Sequence, residues 1–147
     1  MSLYSTDATV KKYCEEILRE VPALEEYHEE AAVEIDRDLE LRWYRPESVV
    51  RGVDYQATPF DREELHNVTT QLARLGTFKA IALAAEAIST YHPDGDKFGR
   101  IAERFAARYA AELDTVIEYG IEYDWDEDDT LDEDEQAATQ VRRLRRI

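Results

Sequence analysis

The sequence predicts an all-α fold, a bundle of four to five helices with a long inter-helix loop and a C-terminal arm. Three observations carry this. Apolar residues recur at three- and four-residue intervals along most of the 147 residues. Capping residues stand before the periodic stretches, and Pro22, Pro46, Gly52, Pro59 and the Pro93–Gly95 turn punctuate them.

Thr6 or Asp7 caps a first helix whose apolar positions are Val10, Cys14, Ile17, Leu18 and Val21. Pro22 marks the start of a second, at a first-turn position where the missing N–H costs no hydrogen bond. Its stripe is Leu24, Tyr27, His28, Ala31, Ile35 and Leu39, running to about Trp43. Residues 44–60 break the helical period, and Val49, Val50, Val53 and Tyr55 give them a short extended character. A connection this long is read as an interface, against a plain insertion. Asp61 and Glu64 then resemble a capping box that opens a third helix with Leu65, Val68, Leu72 and Leu75. Beyond a kink or pause at Gly76, the alanine-rich stretch with Phe78, Ile81, Ala82, Ala85 and Ile88 is expected at the bundle centre. After the His92–Asp96 turn, a fourth helix runs from about Lys97 to Tyr123, with Phe98, Ile101, Phe105, Tyr109, Leu113, Val116 and Ile117 inward. Residues 1–123 are thus expected to form the helical domain, and residues 124–147 an acidic loop and a basic arm.

One domain of this length buries enough surface for a core without staples. The single Cys14 excludes an internal disulfide framework, and no Cys/His cluster points to structural zinc. No apolar leader opens the sequence and no apolar run is long enough to span a bilayer, so a soluble protein without a membrane partner is expected. Net charge is -16, from 34 acidic and 18 basic residues, of which only four are Lys. Such a chain repels itself in dilute buffer. At molar salt, where the Debye length is roughly 3 Å, the repulsion is nearly gone. Acid-rich, Lys-poor chains resemble proteins of salt-loving archaea or their viruses. Most of this surface should repel nucleic acid, since phosphate binding needs clustered Lys or Arg.

Residues 124–135 read D-W-D-E-D-D-T-L-D-E-D-E. An EF-hand loop takes oxygen ligands at positions one, three, five, seven, nine and twelve. Those are Asp124, Asp126, Asp128, the Thr130 carbonyl, Asp132 and Glu135, with Leu131 at the apolar eighth position and Asp129 in place of the usual Gly. Nine of the twelve residues are acidic, so the spacing alone separates a calcium site poorly from a hydrated acidic linker. Glu25-x-x-His28 and Glu63-x-x-His66 suggest a di-iron cage. Helical phase argues against it: His28 lies on an apolar stripe, while Glu63 falls nearly opposite its own. No nucleophile motif or phosphate loop is present, Cys14 reads as packing, His92 as a solvated turn residue, and no catalysis is expected. Trp43 and Trp125 are anchors or ordinary helix-end packing. The ending Val141, Arg142, Arg143, Leu144, Arg145, Arg146 and Ile147 is a basic arm with one apolar edge. It either folds onto the acidic loop or docks on an acidic partner.

Several stretches together resemble the head–tail connector, or adaptor, proteins of tailed siphovirus-like viruses, here of a haloarchaeal host. They are the opening T-D-A-T-V-K-K-Y, the stretch E-L-H-N-V-T-T-Q-L-A-R-L-G-T-F-K-A-I-A-L, and the helix A-E-R-F-A-A-R-Y-A-A-E-L-D-T-V-I-E-Y-G with its Y-D-W-D-E-D-D-T-L-D-E-D-E ending. The resemblance implies a virion neck protein, assembled in the host cytoplasm. It would form a dodecameric ring that joins the portal to the next neck or tail protein and lets DNA pass without specific binding. Residues 135–147 would be the docking arm and residues 44–60 a contact loop. The residues also leave open a cytoplasmic EF-hand-like calcium-binding helical protein of a halophile.

Overall fold

Thr6 begins the helical structure with a reciprocal cap: its hydroxyl accepts the Thr9 N–H, and the Thr9 hydroxyl accepts the Thr6 N–H. This sets the start of α1 (Asp7–Tyr13) in a computed structural model that describes residues 3–66 and 68–126. One helix was expected here, but Cys14 takes an extended φ of -154° and ψ of 81°, and α2 (Glu15–Glu20) starts after it. Both short helices bury an apolar residue fully, Val10 on α1 and Ile17 on α2.

Residues 44–51 are helical, not the start of the loop that their sequence predicts, and only residues 52–60 are irregular. Helix α3 (Glu25–Leu39) runs through a π-helical turn (Glu40–Tyr44) directly into α4 (Arg45–Arg51). The cause is Pro46, which lacks an N–H and whose ring crowds the carbonyl four residues back. Widening the turn relieves this, and the Arg45 N–H bonds the Glu40 carbonyl five residues away. The wide turn also brings two adjacent aromatics, Trp43 and Tyr44, inward together. The rod ends at Gly52, whose φ of 74° only glycine adopts freely, and the Val53 N–H closes the end on the Ser48 carbonyl at 2.9 Å.

Asp61 does cap a helix, accepting the Glu63 N–H, but only a 3-10 turn (Arg62–Glu64) follows. The continuous helix expected from Asp61 is absent among the described residues. Val68, Thr69 and Thr70 are β-branched and poor helix formers. The backbone here is also taken by residues 120–124: His66 N–H donates to the Glu122 carbonyl and Asp124 N–H to the Glu64 carbonyl. Leu65 and Tyr123 pair as an isolated antiparallel bridge.

Helix α5 (Ala73–Ser89) is buried at ten of its 17 residues, on more than one face, so several neighbours must cover it. α6 (Gly95–Tyr119) covers it most extensively, burying Phe98, Ile101, Phe105, Tyr109, Leu113 and Val116 in one stripe. α1, α2 and α3 cover its remaining faces. The protein is an all-α bundle, and no helix among the described residues is long and apolar enough to cross a membrane.

The segment before α1 is part of this cover. Tyr4, 3 % exposed, lies directly across Gly76 of α5. A Cβ at position 76 would stand 2.4 Å from the Tyr4 Cβ and 3.0 Å from its carbonyl carbon. Gly76 therefore marks a close approach, not the kink expected from sequence. Gly99 on α6 has nothing within 4 Å of the same construction. Gly76→Ala should destabilise by about 1–2 kcal/mol, overpacking outweighing helix propensity. Gly99→Ala should stabilise by about 0.5–1 kcal/mol. Chemical denaturation of both variants separates the two cases; a stabilising Gly76→Ala would refute the close approach.

Candidate functional site

The chain leaves the described bundle through an aromatic cluster. Tyr123 is buried, and its hydroxyl accepts the Asp61 N–H at 3.1 Å. Trp125 stacks on Tyr44 with ring centroids 5.1 Å apart and planes 4° from parallel. Trp43 stands 5.6 Å from Tyr123 and 5.7 Å from Trp125, while the Arg51 guanidinium lies 4.7 Å over the Trp125 ring. Gln71 adds a bond from its amide to the Gly120 carbonyl at 2.6 Å. The π turn makes this possible, because it delivers both Trp43 and Tyr44 to one place. Trp43 and Trp125, singled out in the sequence as possible anchors, anchor each other.

The first two residues of the calcium-loop pattern stand in different surroundings. Asp124 is 1 % exposed, with its N–H on the Glu64 carbonyl; Asp126 is exposed. Asp128, Thr130, Asp132 and Glu135 lie outside the described residues, as do Val141, Arg142, Arg143, Leu144, Arg145, Arg146 and Ile147. No three His, Cys, Asp or Glu side chains among the described residues converge as a metal-holding group. Up to Trp125 the chain packs with the helical body.

His28 has a role that helical spacing did not reveal. Its Nδ1 lies 2.6 Å from the Ser5 hydroxyl and its Nε2 2.9 Å from Asp7 Oδ1. Since a carboxylate only accepts, Nε2–H donates to Asp7 and Nδ1 accepts from Ser5. Serine, histidine and aspartate in a row are the parts of a hydrolytic triad, but accessibility is reversed. Ser5 is 3 % exposed and His28 4 %, whereas the Asp7 side chain is 43 % exposed. The hydroxyl that would attack is shielded, so the row ties the first residues to α3. Glu25, its partner in the di-iron reading, is exposed instead. The phase argument for Glu63 assumed a continuous helix that these residues do not form. A further tie centres on Asp36 of α3. It accepts the Tyr4 hydroxyl at 2.6 Å and, through both oxygens, the Arg62 guanidinium at 2.6–3.1 Å.

Burial pushes the Tyr4 hydroxyl far above its ordinary range, with the Asp36 charge adding to it. Tyr109, bonded to Asp38 at 2.5 Å, and Tyr123 are raised for the same first reason, desolvation. A phenol whose folded pKa is raised stays neutral in the fold while the unfolded chain ionises near pH 10. The stability it contributes is complete below that pH and is lost as pH rises beyond it. The denaturation midpoint should therefore fall steeply above about pH 10, and less steeply in Tyr4→Phe. An unchanged slope in that variant would contradict the burial of Tyr4.

Removing the anchor at the exit, Trp125→Ala, should cost about 2–3 kcal/mol, below the usual figure for a fully buried tryptophan because this ring is half-buried. Amide exchange should rise first at residues 120–125; protection unchanged there would show that the stack holds nothing. No protein-family model, curated protein or solved structure matches the chain.

Proposed function

We propose that this chain is a structural assembly protein, a ring-forming adaptor in the virion neck that joins portal to tail and lets DNA pass. The observation that carries the reading is the anchored exit. Trp125 is stacked on Tyr44 and Asp124 is hydrogen-bonded into the body, so whatever follows departs from a fixed point. A free tail has no need of such a mount; a docking arm does, because a fixed root raises the local concentration of the arm at its target. The arm is residues 135–147, with Arg142, Arg143, Arg145 and Arg146 seeking carboxylates and Val141, Leu144 and Ile147 giving it an apolar edge. Exposed Val33, Leu41, Val49 and Val50 on the α3–α4 rod supply further apolar surface for neighbours.

The test is co-sedimentation with the portal protein of the same virus. The intact chain should travel with the portal. A chain ending at residue 134, and one with Arg142, Arg143, Arg145 and Arg146 replaced by Glu, should lose at least tenfold in affinity. Helicity and melting temperature should not change. Equal binding by both variants would sink the docking-arm reading.

A further inference from the structure

About half of the Lys and Arg side chains among the described residues have a carboxylate partner; Lys11, Lys12, Arg19, Arg37 and a row of three arginines on α6 do not. Arg42 pairs with Asp114, Arg45 with Glu40, Arg62 with Asp36, Lys79 with Glu34 and Lys97 with Glu16. Arg100, Arg104 and Arg108 are exposed, and none has a carboxylate within ion-pair distance among the described residues. They follow one another at four-residue spacing on α6, so they rise along one side of the helix about 6 Å apart. Like charges at that spacing repel. In a chain with 34 acidic residues, a carboxylate within that row was easily available to relieve the repulsion.

The row is also built into its surroundings. The Arg104 and Arg108 guanidiniums lie 5.1 and 5.3 Å over the Phe105 ring, and Arg108 stands 5.3 Å over Phe78. Arg100, Ile101 and Arg104 line a recess of about 360 Å³ with Glu16 and Lys97. Cations held over rings at fixed spacing are presented, not merely solvated.

Resting on the assembly reading above, we infer that this arginine ridge is a docking site for the acidic segment Glu127–Glu135 of a second copy of this chain. Three points select that occupant. The first is charge: seven of those nine residues are carboxylates, and the ridge supplies unmatched guanidiniums. The second is place. The exit lies against Trp43 and Tyr44 on the α3 rod, which meets α6 at Tyr109 through Asp38. Tyr109 and Arg104 are about 140° apart around α6, so this contact of the rod and the ridge lie on different flanks of the helix. A neighbour's ridge is served without wrapping the chain around the helix. The third is symmetry: a segment on one side and its receptor on another make a head-to-tail contact, the kind that closes rings. Duplex DNA is the weaker fit, since its phosphates need a broad cationic face and Glu16, Glu103 and Glu112 leave this row narrow.

The test uses full-length chains in sedimentation at about 0.1 M salt, where exposed charges still act. The ridge variant is Arg100→Glu, Arg104→Glu, Arg108→Glu; the segment variant is Glu127→Lys, Asp128→Lys, Asp129→Lys. Each alone should weaken self-association by about ten- to hundredfold. Combining both sets in one chain should restore it, since the charges are then exchanged. The segment variant leaves the described bundle untouched, so it reads out even where the ridge variant folds poorly. Self-association indifferent to either set overturns the inference, as does a wild-type chain that stays monomeric with portal present. Retention of duplex DNA by the ridge in place of self-association overturns it too. Restored association by the double set without any portal binding keeps this contact and removes the neck reading. Portal binding that ignores both sets does the reverse.

Discussion

The need to cover α5 on most of its sides governs the rest of this structure. A helix with Ala80, Ala84 and Ala85 fully buried alongside Leu75, Ile81 and Ile88 leaves little beyond Arg74, Lys79 and Glu86 to meet water. Small side chains let neighbours approach closely, and four other helices share the cover. At Gly76 the approach is so close that backbone meets backbone: Tyr4 occupies the place a side chain would take. The chain is thus obliged to bring the segment before α1 across its central helix. This buries Tyr4, Ser5 and Val10 almost completely.

Bringing that segment inward carries polar groups with it, and each must be satisfied. Ser5 and Asp7 take His28, Tyr4 takes Asp36, and the Thr77 hydroxyl lies 2.8 Å from that of Thr9. Asp36 serves twice, since Arg62 holds both of its oxygens. One carboxylate on α3 therefore fastens both the opening segment and the irregular stretch before α5. In a chain of net charge -16 the useful part of an acidic surplus is the part that is hydrogen-bonded in this way. The remainder acts as a diffuse repulsion that salt screens.

The legible and illegible parts of the sequence differ for physical reasons. The body of helix α6 was plain, because its six buried residues repeat at helical spacing and a turn precedes it, but it ends at Tyr119 and not at Tyr123, which pairs with Leu65. The π turn was not. Pro46 reads as a break under ordinary helix rules, and only a locally widened turn reconciles it with a continuous rod. Residues 61–72 show a helical apolar pattern, yet the backbone bonds to residues 120–124 outcompete it; long-range pairing leaves no trace in local spacing. His28 was visible on its stripe, but its partners lie 21 and 23 residues away. The aromatic exit was only half visible: two tryptophans beside charge, without the fold that joins them. The arginine row on α6 stands in the sequence at four-residue spacing. Its meaning depends on which other cations find carboxylates, and that only the folded arrangement decides.

Opposite charges in the stretch beyond Asp126 have unequal consequences for specificity. A cationic arm meets a surface on which carboxylates are abundant, so many weak sites compete for it and its apolar edge must choose among them. An anionic segment meets few destinations on such a surface. Exposed ion pairs are individually weak, and selectivity arises when several charges are fixed together in a matching array. The row Arg100, Arg104 and Arg108 is such an array on the described surface, while Arg42, Arg45, Lys79 and Lys97 are already paired. On the proposed assembly, the acidic half would set register between copies and the basic half would engage a different protein. A shared root at Trp125 would then couple the two, because docking the first stretch would fix the starting point of the second and shorten the loop its binding must close.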